Sequence, residues 1–130
     1  MIVADASAIV AVLLEEPEED AFLDVLSQGP VVMSPVGYWE AHTRVHRLRG
    51  DEGAARLERL LTNFDIQIAP AGSETARLAA RAQAEFGKHT PARLNLGDCF
   101  AYALAKEQSL PLLFKGEDFV RTDVKVALRV

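Results

Sequence analysis

The chain has 130 residues, a length that suits one domain with a single hydrophobic core and excludes a two-domain enzyme. With 49% hydrophobic and 25% charged residues, it has the composition of a soluble globular protein. No apolar run approaches the ~20 residues that span a bilayer, and the first residues lack the basic segment of a signal peptide. We therefore expect a cytoplasmic protein that has no membrane partner.

The formal net charge of -5 argues against bulk electrostatic binding of nucleic acid. The acids are unevenly distributed, because five of the nineteen lie around Pro17, at Glu15, Glu16, Glu18, Glu19 and Asp20. We interpret this run as the solvated start of a helix, where acids complement the helix dipole. The single cysteine, Cys99, excludes an internal disulfide and a multi-cysteine zinc site, and we expect it to be a small buried side chain.

In chain order, the hydrophobic pattern predicts strands that alternate with helices. A strand at residues 2–4 ends in Asp5, and a helix at 6–14 follows, capped by Asp5 or Ser7. Further helices are predicted at 21–26, 36–49, 52–61, 73–86 and 97–108, with Ser34 as an N-cap and Gly50 as a stop. Further strands are predicted at 31–33, 65–68, 112–114 and 124–128. This order predicts an α/β fold in which helices cover both faces of a parallel sheet.

Four acids lie where this layout brings separate segments to the carboxyl edge of the sheet: Asp5, Glu40, Asp98 and Asp118. Taken singly, each acid has an ordinary explanation, such as a helix cap, a helix-terminus charge or a pair between Glu40 and Arg44. These explanations do not account for the matching positions of the four acids. Clustered carboxylates repel unless a cation neutralises them, and all-oxygen sites favour magnesium or manganese.

Other kinds of site have weaker support. No glycine-rich phosphate loop is present, which argues against a nucleotide-binding domain. Phosphoaspartyl chemistry would need a second Asp at position 7, where the chain has Ser7. His42 and His46 have the spacing of zinc ligands on one helix face, but the HExxH pattern is missing.

Several motifs resemble those of one known family. They are IVADASA at residues 2–8, the pair Trp39-Glu40, LNLGDCFAYALA at 94–105 and LFKGEDF at 113–119. From end to end, the chain resembles PIN-domain ribonucleases, specifically VapC-type toxins. The resemblance implies that residues 1–130 form a single PIN domain with a three-layer α/β/α fold. It also implies a magnesium-dependent endoribonuclease that forms a homodimer and is inhibited by a small cognate antitoxin.

Metal-assisted hydrolysis of RNA fits both the acids and the resemblance. Asp5 and Asp98 would hold the magnesium ion, and Glu40 and Asp118 would complete the site. The basic residues near this edge would steer an RNA backbone or form ordinary solvated surface: Arg44, Arg47, Arg93 and Lys115. The alternative is a catalytically silent PIN-fold domain that binds RNA or a partner.

Three acids compete for the fourth place in the site: Glu117, Asp118 and Asp123. We favour Asp118, since it lies just beyond the strand end and a buried Phe119 would turn it toward the other acids.

Overall fold

The architecture, seen in a computed structural model that describes residues 1–128, is built on a parallel sheet. Within these residues the sheet has four strands in the order β3-β2-β1-β4. Their bounds are β1 Ile2–Ala4, β2 Val31–Met33, β3 Ile66–Ile68 and β4 Leu112–Leu113. Val3 of the interior strand β1 pairs with Val32 on one side and Leu112 on the other. The predicted parallel sheet is confirmed.

The helices also follow the predicted order. They are α1 Ala6–Leu13, α2 Glu19–Leu26, α3 Pro35–Asn63, α4 Ser73–Phe86 and α5 Leu96–Gln108. A short 3-10 turn at Phe119–Arg121, which was not predicted, follows β4. In the part of the chain that the structure describes, no helix is both long and apolar enough to cross a membrane.

Alternate side chains of the strands point into two separate cores, one on each face of the sheet. Ala4 and Leu113 pack with α1, α2 and α3. Val3 and Leu112 pack with α4 and α5 on the other face. Since successive residues of a strand face opposite sides, strands this short and apolar must be covered on both faces. The result is the expected three-layer α/β/α fold.

The strand predicted at residues 124–128 is wrong. Only Val126 forms a bridge with the sheet, opposite Leu112. Two hydrogen bonds hold the chain there, from Leu112 N to Lys125 O at 2.8 Å and from Ala127 N to Leu112 O at 2.9 Å. Because β4 is only two residues long, it offers too short an edge for a further strand to pair along.

Gly50 interrupts α3 as predicted, although the hydrogen-bonded helix continues to Asn63. Its backbone has φ 62° and ψ -151°, a conformation that is essentially restricted to glycine. The kink separates residues 35–49, which carry Glu40, from residues 51–63. Gly50 therefore sets the angle between the segment that carries Glu40 and the segment that follows it.

We expect Gly50→Ala to lower the free energy of unfolding by about 1–3 kcal/mol, the usual cost of forcing a side chain into such a conformation. Gly29→Ala is the matched control, because Gly29 is exposed and an added Cβ would meet nothing within 4 Å. Urea denaturation of both variants measures the difference. Equal stability of the two variants would contradict the proposed role of the kink.

Candidate active site

A cleft of about 610 Å³ opens at the carboxyl end of β1. The start of α1, the first half of α3, the start of α5 and the loop after β4 form its walls. Its lining includes three of the four predicted acids, Asp5, Glu40 and Asp98, and the basic side chains of Arg44, Arg47 and Lys115. Arg93, also predicted near this edge, is not among the lining residues.

Asp5 lies at the end of β1 and is only 4% exposed. Its Oδ2 accepts hydrogen bonds from the backbone N of Ser7 at 3.0 Å and from Ser7 Oγ at 2.6 Å, so that it caps α1. Ser7 Oγ in turn accepts a bond from the backbone N of Lys115 at 3.0 Å. Burial raises the pKa of Asp5, and the bonds from Ser7 oppose this effect. Asp5 is therefore fixed in position, with its charged form disfavoured.

Glu40 reaches the cleft from the first half of α3 and lies against the backbone of α5. A Cβ added at Gly97 would overlap the Glu40 carboxyl group, so this approach requires glycine at position 97. Burial, followed by the charges of Asp5 and Asp98, raises the pKa of Glu40 to about 7. The alternative explanation of Glu40, an ion pair with Arg44, gains no support, since no Arg44 ion pair within 4.0 Å occurs among the described residues.

Asp98 lies in the first turn of α5, as predicted, in a reciprocal capping arrangement with Asn95. Asp98 Oδ2 accepts a bond from the backbone N of Asn95 at 3.0 Å, and Asn95 Oδ1 accepts one from the backbone N of Asp98 at 2.8 Å. Burial raises the pKa of Asp98 to about 6, with smaller contributions from the charges of Asp5 and Asp118. The two hydrogen bonds between Asn95 and Asp98 thus fix the position of this carboxyl group.

The three candidates for the fourth acid have different surroundings in the structure. Asp118 is exposed and does not line the cleft, but it lies close enough for its charge to raise the pKa of both Asp5 and Asp98. Asp123 instead accepts bonds from Tyr102 Oη and, at 3.0 Å, from Lys106 Nζ. Glu117 is exposed and makes no comparable contribution. Phe119 is buried as predicted, at 2% exposure.

A raised pKa is the common property of Asp5, Glu40 and Asp98. Burial is the largest cause in each case, and the charge of at least one other carboxylate adds to it, as expected of anions that share a desolvated edge without a cation. Across residues 1–128 no three His, Cys, Asp or Glu side chains are gathered closely enough to hold a metal ion. The donors nevertheless fit a hard divalent cation, because they are all oxygens and because a cation would relieve the repulsion.

The sequence did not reveal the contacts of Lys115. Its Nζ lies 3.1 Å from Glu16 Oε2 and 3.4 Å from Glu18 Oε1. Part of the acidic run is therefore paired and not merely a solvated helix start. No local pattern could have indicated this, since about a hundred residues separate the partners.

His42 and His46 stack, with ring centroids 5.8 Å apart, outside the lining of the cleft. His46 Nε2 lies 3.1 Å from Asp51 Oδ1. The zinc interpretation of this pair gains no support, because no third ligand joins it among the residues that the structure describes.

Comparison with known proteins agrees with the fold. A family model described as PIN domain matches residues 2–125. Ribonuclease VapC42 of Mycobacterium tuberculosis is 38% identical over 128 residues, which is 96% of this chain and 98% of that protein. The chain belongs to the PIN-domain family, in its group of VapC toxin ribonucleases.

Solved structures show the same fold at low sequence identity. Mycobacterium tuberculosis VapC20, described as a toxin that cleaves the sarcin-ricin loop, matches with a TM-score of 0.80 and 14% identity over 100% of both chains. VapBC2 of Rickettsia felis, solved bound to a DNA fragment from its promoter, matches with a TM-score of 0.77 and 14% identity over 97% of this chain and 96% of that one.

The raised pKa of Glu40 predicts a pH-dependent stability difference between the metal-free wild type and Glu40→Gln. Its pKa rises from 4.5 to about 7 on folding, so its stabilising contribution is fully present below pH 4.5 and is lost as the pH rises through about 7. Wild type should therefore lose stability relative to Glu40→Gln over this range. Denaturation in chelator at several pH values measures the difference.

Glu117→Gln, which changes an exposed acid in a neighbouring loop, should follow the wild-type curve and is the control. Parallel wild-type and Glu40→Gln curves would show that Glu40 is not perturbed.

Proposed function

We propose that this chain is a divalent-metal-dependent endoribonuclease that cleaves RNA with a metal-activated water and acts as the toxin of a toxin–antitoxin module. The observation that carries the proposal is the convergence of Asp5, Glu40 and Asp98, from three separate elements, on one cleft. The raised pKa values of Glu40 and Asp98 are typical of a functional site. Membership of the VapC group supports the same activity.

In this proposal Asp5 and Asp98 hold a magnesium or manganese ion, and Glu40 and Asp118 complete the site. When bound, the cation supplies an activated water and neutralises charge on the scissile phosphate. Hydrogen bonds hold Asp5 to Ser7 and Asp98 to Asn95, and the Glu40 carboxyl group lies against Gly97. The Ser7 hydroxyl donates to Asp5 at 2.6 Å, which makes it a positioning group and not a nucleophile.

We further infer that the protein is a cytoplasmic single domain that pairs with a cognate antitoxin and forms a homodimer. The antitoxin is supported by the solved relatives described as toxin–antitoxin complexes, which include one from Klebsiella pneumoniae with a TM-score of 0.75.

Asp5→Asn and Asp98→Asn are each expected to reduce RNA cleavage by more than about 100-fold, since even groups that only orient metal ligands contribute 10- to 100-fold. Asparagine keeps the shape and the capping oxygen but removes the charge. The measurement is single-turnover cleavage of RNA by purified protein across magnesium and manganese concentrations, with melting in chelator as the check on folding.

Asp24→Asn, an exposed change on α2 outside the cleft, is the control and should cleave like wild type. Both site variants should melt no lower than wild type without metal, because each removes a repelling charge. A melting temperature many degrees lower would make these acids structural. Absence of metal-dependent cleavage by wild type would favour the catalytically silent alternative.

The fourth acid is tested by comparing Asp118→Asn, Glu117→Gln and Asp123→Asn. Asp118→Asn should lose the most activity, about 10- to 100-fold, and should need more magnesium, since only Asp118 of the three acts on both Asp5 and Asp98. Asp123→Asn should mainly lower stability, because its partners are Tyr102 and Lys106. The measurement is the cleavage rate of each variant against magnesium concentration. A larger loss of activity in Glu117→Gln than in Asp118→Asn would overturn the choice of Asp118.

A further inference from the structure

We propose that Trp39 is a platform on which an unpaired RNA base stacks beside the scissile bond, and that Arg44 and Arg47 hold the adjoining phosphates. This inference rests on the proposed function, since it assumes that RNA is the substrate. It adds a binding wall on α3 that lies next to the carboxyl groups and selects single-stranded RNA.

Core packing does not explain the position of Trp39, because its side chain is mostly exposed. Its side chain is 64% exposed, whereas the same helix buries Ala41 and Val45 in the core. The exposed indole lines the cleft and directly precedes Glu40 in the chain. A large aromatic ring in contact with solvent, next to a reactive site, is the arrangement by which proteins stack the bases of single strands.

Arg44 and Arg47 extend this wall away from the acids. They lie four and seven residues after Glu40, so the three side chains share one helix face. Along the helix axis, Arg44 is about 6 Å and Arg47 about 10.5 Å from Glu40. Both arginines line the cleft and are exposed. Within residues 1–128, neither lies within 4.0 Å of a carboxylate.

Charge favours a polyanion on this wall. Lys115, the cation on the other side of the cleft, is already paired with Glu16 and Glu18. In a chain of net charge -5, the two arginines therefore form a local positive stripe that complements a phosphate backbone.

Stacking on Trp39 requires an unpaired base. In an A-form duplex the bases are stacked on one another and their faces are inaccessible to side chains, whereas loops and single strands expose them. The wall thus predicts a preference for single-stranded RNA, without a preference for one base, because every base has a face that can stack.

Trp39 is the only tryptophan in the chain, so its fluorescence reports directly on the site. The experiment titrates the full-length protein, in chelator and at low salt, with a short oligoadenylate and with an RNA duplex of the same length. The single strand should quench the fluorescence and the duplex should not. A single strand with abasic sites should bind without the same quenching.

Variants are compared by the anisotropy of a labelled oligoadenylate. Trp39→Ala and Trp39→Leu should weaken binding about 5- to 150-fold, the range for loss of one base–aromatic stack, and Trp39→Phe should retain most of the affinity. Leu48→Ala is the control, because Leu48 is 54% exposed on the same helix but does not line the cleft.

The arginines are tested by the salt dependence of binding. Arg44→Ala and Arg47→Ala should each lower the slope of log K against log salt by about 0.7, the value for one phosphate contact with a single strand. Arg49→Ala, an exposed cation outside the cleft, should leave the slope unchanged.

Three results would overturn the inference: no binding of the oligoadenylate by wild type, equal binding by Trp39→Ala and wild type, or equal quenching by duplex and single strand. Equal binding would mean that Trp39 serves another contact, such as the antitoxin. Because binding is measured without metal, these results are independent of cleavage. Cleavage without an effect of Trp39 overturns only this inference, and Trp39-dependent binding without cleavage overturns only the proposed nuclease.

Discussion

Burial of carboxyl groups at the end of a strand, with their mutual repulsion added to it, is the constraint on which the site depends. Asp5 ends the interior strand β1 and is almost fully buried, so desolvation opposes its charge before any neighbour is considered. Glu40 and Asp98 bring further carboxyl groups to the same cleft. A fold that accepts this arrangement without a cation must offset it elsewhere, and here the two apolar cores on either face of the sheet do so.

The supporting contacts hold the acids in place without neutralising them. Ser7 and Asn95 donate hydrogen bonds to Asp5 and Asp98, which lowers the cost of burial but leaves the groups ready to exchange a proton for a metal ion. Both contacts join residues that are close in sequence, since each donor lies within three residues of its acceptor. This local bonding explains why short motifs are enough to place two of the acids.

Much of the fold could be predicted from sequence for the same reason. Ser34 followed by proline begins α3, Gly50 kinks it, and the segment from Ser73 to Phe86 has the predicted bounds, because each feature depends on neighbours in the chain. The last strand was wrong because strand-forming residues alone do not provide a long enough edge for pairing.

Contacts between distant segments could not be predicted. The pairing of Lys115 with Glu16 and Glu18 depends on where the loop after β4 passes the start of α2, which no periodicity encodes. The choice of Asp118 among three acids was a geometric argument from the strand end, and it remains a prediction. The same holds for the catalytic roles of the other acids.

The contact of Glu40 with Gly97 has a consequence for the entropy of ligand binding. A glutamate side chain that is free in solution loses about 1.5–2 kcal/mol of rotamer freedom when it becomes ordered. Here the Glu40 carboxyl group lies so close to Gly97 that an added Cβ would overlap it, so α5 blocks one side of the space that this side chain could occupy. Folding thus removes part of the rotamer freedom of Glu40, and a ligand that binds this group has less of that freedom left to remove.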